Sequence, residues 1–176
     1  MGMKFIVREL IPDDLPVIYG FMKDREISYL INHDPMEGLA EFINRYNFYF
    51  TEEVKDLKIF SVTLDDYLIG KMEIYYNLHN KSSLFSILIG DKSLWGKGYA
   101  TKALSVLFSY GFNNLGLNRI ACEVYRYNER MIRLMGKMKM NVDGILRSKE
   151  LINNRFNDIY VFSILKKEYE GDAYND

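Results

Sequence analysis

Residues Ile87 to Leu104 hold the stretch of this chain best suited to binding a charged ligand. The apolar run Ile87-Leu88-Ile89 ends in Gly90-Asp91-Lys92-Ser93, and Leu94-Trp95-Gly96-Lys97-Gly98-Tyr99-Ala100-Thr101 then leads into a helix. A helix start carries backbone N–H groups without intrahelical partners and the positive end of the helix dipole. Gly96 and Gly98 remove the β-carbons that would hold a phosphate oxygen away from that backbone, and Lys97 adds a point charge. A diphosphate fits this pattern. A strand-to-helix connection that uses its glycines only for geometry accounts for the same residues. A P-loop does not fit, because it needs four residues between its glycines and then Lys-Ser/Thr. Nor does a dinucleotide fingerprint: Thr101 stands where its third glycine belongs, and hairpins replace the early βαβ unit.

The elements that must position this turn can be read from periodicity. Lys4 to Leu10 reads as a strand, and Pro12-Asp13-Asp14 starts a helix running to about Lys23. A second helix is expected from about Pro35 to Phe50, with Leu39, Phe42, Ile43 and Tyr46 at helical spacing. Leu57 to Leu64 and Tyr67 to Tyr76 form a hairpin about Asp65-Asp66, and Leu84 to Ile89 is a third strand of that run. After the glycine turn, Tyr99 to about Asn113 places Ala103, Leu104, Leu107 and Phe108 on one side of a helix. A strand over Arg119 to Tyr125, a helix from Asn128 to near Lys139, and a hairpin of Val142–Ile152 with Phe156–Lys166 complete the order. The chain therefore reads as one α+β domain over residues 1–168, with 169–176 as a polar tail expected to fray.

Composition narrows the function. The 23 basic and 24 acidic side chains among 176 residues nearly cancel, which removes the basic surplus that nucleic-acid binding requires. Cys122 is the only cysteine and His33 and His79 the only histidines, so a metal cluster or a Ser-His triad has little material. Cys122 alternates with Ile120 and Val124 and is expected to be buried and inert. No metal, no nucleic-acid partner and no membrane segment are expected, and a reducing cytoplasm is the plain setting.

At this point the sequence resembles the GNAT superfamily of N-acetyltransferases, in its ribosomal-protein and spermidine acetyltransferase-like branch. The family's acetyl-CoA motif is Arg/Gln-x-x-Gly-x-Gly/Ala; Trp95 takes the first place, Gly98 the glycine and Ala100 the small residue. Asn128, Leu134 and Lys137 agree with the pattern N-x-x-S-x-x-L-x-x-K-L-G-F, while Met131, Lys139 and Met140 depart from it. Asp143-Gly144-Ile145-Leu146-Arg147 looks like the family's Glu-Gly-x-Leu-Arg. Two further departures touch catalysis: Met135 stands where many relatives carry a tyrosine acid, and Phe85 where a glutamate is common on the fourth strand, subject to a one-residue slip.

The resemblance implies a mixed, mostly antiparallel sheet of about seven strands flanked by about four helices. It implies acetyl-CoA as co-substrate and direct acetyl transfer to a primary amine, which belongs to a protein N-terminus, a polyamine, or an amino sugar or antibiotic. Trp95, Gly96, Lys97, Gly98, Tyr99, Ala100 and Thr101 would hold the diphosphate, and Ile87, Leu88 and Ile89 would pair with the pantetheine arm and offer the oxyanion an N–H. Asn128 would contact that arm, cap its helix, or both. Glu73 is the first candidate for the base, although an ion pair with Lys71 on the same strand face explains it without catalysis. Glu123 is the second candidate, and Tyr125 or Tyr127 would supply an acid unless they are packed rings. A homodimer is left open. The competing reading is a non-catalytic acyl-CoA-binding regulatory module, supported by Met135 and Phe85.

Overall fold

The computed structural model describes residues 3–33, 38–52 and 54–171. In chain order they form β1 (Phe5–Glu9), α1 (Leu15–Met22), α2 (Arg25–Ile31), α3 (Leu39–Thr51), β2 (Leu57–Leu64), β3 (Tyr67–Asn77), β4 (Ser82–Ile89), α4 (Tyr99–Ser109), β5 (Arg119–Tyr125), α5 (Glu129–Lys137), β6 (Asn141–Ile152), β7 (Arg155–Leu165) and α6 (Lys166–Gly171). The sheet has seven strands in the order β1-β2-β3-β4-β5-β7-β6. β1 pairs antiparallel with β2, and β7 antiparallel with β5 and β6, whereas β4 and β5 run parallel. The α+β class and the mixed seven-stranded sheet agree with the sequence.

The helices differ from expectation. Among the described residues there are six α-helices rather than about four. α2 escaped detection because seven residues are too few for a periodic signal. Its ends are nonetheless encoded: Asp24 accepts from the N–H groups of Glu26 and Ile27, and Asn32 closes the helix at φ 50°. α3 is described from Leu39, and the expected start near Pro35 lies outside the described residues, as does Glu53. At the other end, Lys166–Gly171 forms a short helix; Glu168 accepts from Leu165 N–H at 2.8 Å and Tyr169 packs on Phe112 with ring centres 4.8 Å apart. Residues 172–176 lie outside the described residues.

The chain divides into two compact units, Met1–Glu73 with Ile87–Tyr99, and Ile74–Ser86 with Ala100–Asp176, so β3 and β4 each contribute to both. The first unit packs Leu15, Ile18 and Met22 of α1, Ile27 of α2 and Phe42 and Tyr46 of α3 with Leu57, Ile59 and Leu88. In the second, Phe85 meets Phe108 edge-on at 5.7 Å, and Phe108 meets Phe112 at 6.5 Å. β4 supplies buried side chains to both units. Ser83 and Phe85 are buried with Leu84 exposed, and Leu88, three residues beyond Phe85 and so on the opposite face, is buried as well. Its pairing with β5 joins Ser82, Ser83 and Leu84 to Arg119, Ile120 and Ala121.

Asp14 ties the first strand to the first helix. Its carboxylate accepts from both terminal nitrogens of Arg8 at 2.6 and 2.7 Å, from Ser61 Oγ at 2.6 Å and from Ile11 N–H at 3.1 Å. Burial alone would raise the Asp14 carboxyl; the hydrogen bonds from Arg8, Ser61 and Ile11, with the Arg8 charge, hold it below the usual carboxylate range. A depressed native pKa contributes stability above the unfolded pKa of about 3.9, and that contribution disappears as pH falls through the native value. Asp14→Asn should therefore cost about 2 kcal/mol in urea unfolding at pH 7, half-exposed Arg8 softening the loss. As pH falls through that native value the variant and the parent should converge.

Candidate functional site

The turn after β4 is built on two glycines in a backbone conformation that L side chains avoid, Gly96 at φ 77° and Gly98 at φ 86°. A β-carbon on either would meet no atom within 4 Å, so conformation rather than internal crowding demands glycine, and the cradle is open. Trp95 anchors it: the indole N–H donates to Ile89 carbonyl oxygen at 2.7 Å while the ring packs on the first unit's core. Lys92, on the turn of 3-10 helix Lys92–Leu94, ion-pairs with Asp24 at 2.7 Å, which fastens the loop to α2. α4 begins at Tyr99, whose ring stacks on Phe5 at 6.1 Å. Gly96, Lys97 and Gly98 are exposed, and the N–H groups of Tyr99, Ala100 and Thr101 fall in the first helical turn, which has no intrahelical acceptors. The predicted cofactor residues Trp95 to Thr101 thus form one anchored, open turn.

β3 runs close beneath the strand that feeds this turn. A β-carbon on Gly70 would lie 2.1 Å from the Leu88 carbonyl oxygen and 3.1 Å from Ile89 Cα, so glycine is required for the approach. Next to it, Lys71 Nζ donates to both Glu73 Oε1 and the Tyr46 hydroxyl, which itself donates to Glu73 Oε1 at 3.2 Å. The Lys71 and Glu73 side chains are only 10% and 13% exposed. The ion pair foreseen for Glu73 is present, but it is shielded from solvent and includes a helix tyrosine. Burial would lower the Lys71 ammonium, yet the Glu73 carboxylate and Tyr46 outweigh it and raise its pKa. Burial raises the Tyr46 phenol, with Lys71 opposing, so the phenol stays protonated. The helical spacing of Tyr46 signalled only core and gave no sign of this contact with Lys71 and Glu73.

In the second unit the remaining candidates have partners of their own. Glu123 is ion-paired with Lys149. Tyr125 donates to Glu150 at 2.8 Å and stacks on Tyr127 at 5.2 Å. Lys149 and Glu150 sit where β6 shifts register against β7 between Leu146 and Glu150, an irregularity that leaves no mark in alternation. Asn128 caps α5, accepting from Met131 N–H at 3.1 Å. Met135 is fully buried with its sulfur 3.2 Å from Cys122 Sγ, and burial pushes the Cys122 thiol up to about 12. Phe85 is core. Among the described residues no group of three or more His, Cys, Asp or Glu could hold a metal, and no helix is long and apolar enough to cross a membrane.

The class of protein follows from the family match, an acetyltransferase. The chain belongs to the GNAT acetyltransferases, the family described as acetyltransferase (GNAT) domain matching residues 4–141. It is 33% identical over 147 residues to the uncharacterized N-acetyltransferase p20 of Bacillus licheniformis, covering 84% of this chain and 74% of that one. The spermidine N(1)-acetyltransferase of Escherichia coli K12 is 24% identical over 164 residues, covering 93% and 87%. Among solved structures, spermidine N-acetyltransferase from Vibrio cholerae in complex with CoA and spermine superposes with a TM-score of 0.85 at 26% identity, over 94% of this chain and 98% of that one. Acetyl-CoA is the co-substrate of this family, and the open turn suits its diphosphate.

The two glycine environments predict losses of different origin and size. Gly98→Ala should cost about 1 kcal/mol through backbone strain alone. Gly70→Ala should cost about 3 kcal/mol, because a methyl group there must push β3 and β4 apart. Denaturant titration of both variants measures the difference.

Proposed function

We propose that this chain transfers the acetyl group of acetyl-CoA directly to the nitrogen of a primary amine. The observation that carries the proposal is the anchored turn at Trp95 to Thr101, open where a diphosphate would lie and continued at once by a helix start. The amine first loses a proton, because an alkylammonium has no lone pair at neutral pH. Its nitrogen then attacks the thioester carbonyl, the C–N bond forms, the C–S bond breaks, and the thiolate leaves as coenzyme A. Backbone groups of Ile87 to Ile89, beyond the last β4–β5 pair, bind the pantetheine arm and stabilise the oxyanion. Glu73, ion-paired with Lys71, receives the amine proton through water. The second proton that the nitrogen sheds as the amide forms passes through water to the departing thiolate, since buried Met135 has no proton to give and the Cys122 thiol is too weak an acid.

The burial of Met135 and Phe85 favours a second reading, a regulatory module that binds acyl-CoA without turnover. The two separate in one assay: acetyl-CoA-dependent thiol release against N-terminal peptides, amino sugars, aminoglycosides and polyamines. Turnover above the amine-free blank establishes the enzyme, whereas thermal stabilisation by acetyl-CoA with no turnover on any amine supports the module. Gly98→Asp sets a carboxylate against the diphosphate and should weaken acetyl-CoA binding about 100-fold or more, with Gly98→Ala as the control for strain. Unchanged affinity in folded Gly98→Asp removes the turn from the cofactor site. Glu73→Gln should lower kcat/KM at least about tenfold and flatten its acidic limb; an unaltered profile rules Glu73 out as base.

A further inference from the structure

Glu73 does not stand as a lone carboxylate. Lys71 Nζ donates to Glu73 Oε1 and to the Tyr46 hydroxyl, and lies 5.1 Å from the centre of the Tyr46 ring. From α3, the Arg45 guanidinium lies 5.6 Å from the same ring and 5.2 Å from Phe42. The charged groups packed around Tyr46 thus include two cations and one anion, with Lys71 and Glu73 almost closed to solvent. Charges withdrawn from water act on one another and on a ligand with little screening. A bare glutamate here would attract any cation. Paired with Lys71 and neighboured by Arg45, it offers an arriving ammonium no net negative field.

We infer that Lys71 is a specificity-determining residue that cancels the Glu73 charge, so that the acceptor is a singly charged amine of low basicity and polyamines are disfavoured. The inference rests on the amine-transfer reading and narrows it. An α-amine, with a pKa near about 8, spends a useful fraction of its time neutral at pH 7.5 and needs little electrostatic help to shed its proton. A polyamine brings two or more ammonium groups of higher basicity, each repelled by Lys71 and Arg45. Lys71 acts through Glu73 and Tyr46 and need not touch the acceptor. The retained charge on Lys71 agrees with this arrangement, since Glu73 and Tyr46 raise its proton affinity against the effect of burial.

The test compares kcat/KM for spermidine and for an alanyl dipeptide amide at saturating acetyl-CoA, in the parent protein and in Lys71→Met. The parent should prefer the peptide at least about tenfold. Lys71→Met uncovers the carboxylate, so the peptide-to-spermidine ratio should fall about tenfold, mainly through the KM for spermidine. The unpaired Glu73 should also move the acidic limb of the pH profile upward by about one pH unit, which a merely structural lysine would not do; Tyr46 and Arg45 remain in place around it. A parent that prefers spermidine overturns the inference without any variant, so a misfolded Lys71→Met does not shelter it. A folded Lys71→Met with an unmoved ratio overturns it as well. Absence of thiol release with every amine defeats the transfer reading itself, and is distinguishable from both.

Discussion

A β-strand presents alternate side chains to its two faces, and the arrangement of the site depends on β4 feeding two hydrophobic clusters in this way. Phe85 points into the aromatic cluster with Phe108, and Leu88 into the one with Ile18 and Phe42. Three residues apart, the two side chains fall on opposite faces by plain alternation, and burying each contributes about 2 kcal/mol. The last β4–β5 pair is Leu84 with Ala121, so the backbone of Ile87 to Ile89 lies beyond the parallel ladder. The same strand thus serves packing and, under the proposed function, offers its backbone beyond that pair to a ligand's amide groups.

The turn between β4 and α4 is held in place by contacts in the same unit. The Trp95 indole takes the Ile89 carbonyl, and Lys92 takes Asp24, the residue that also caps α2. Anchoring on both sides supports the positive φ angles of Gly96 and Gly98. A preformed turn spends less binding energy on ordering itself, which under the proposed function favours an anion held mostly by backbone N–H groups. The glycines then have two independent reasons to be glycine: conformation, and the open space a phosphate would occupy.

The Lys71–Glu73–Tyr46 cluster illustrates how burial alters the meaning of an ion pair. On an exposed strand such a pair contributes little to stability and nothing to specificity. Here desolvation is substantial and is offset only because the ammonium has both a carboxylate and a phenol within reach. Removing either partner would leave an uncompensated charge, so the three groups act as a unit. Glu9 and Lys58, paired at 3.0 Å but well exposed, show the contrasting ordinary case in the same unit.

The order of the strands, the glycine turn and the capping role of Asn128 were legible in the sequence because each depends on neighbours along the chain. Alternation, helical spacing, and Gly or Asn at a turn are local regularities, and β5 at Arg119–Tyr125 matched its expected bounds. The short helix α2 and the terminal α6 were not legible, since six or seven residues carry too little periodicity and draw their support from packing partners such as Phe112. Nor could spacing show that Glu123 meets Lys149 and Tyr125 meets Glu150, because these contacts join β5 and β6 across the intervening β7 and leave no mark along the chain. For Glu73, the pattern Lys-x-Glu announced an ion pair, but only the fold decided that α3 would bury it and add Tyr46. Residue type and spacing determined which groups exist and which elements carry them; desolvation, a property of everything packed around a charge, was decided by the tertiary structure.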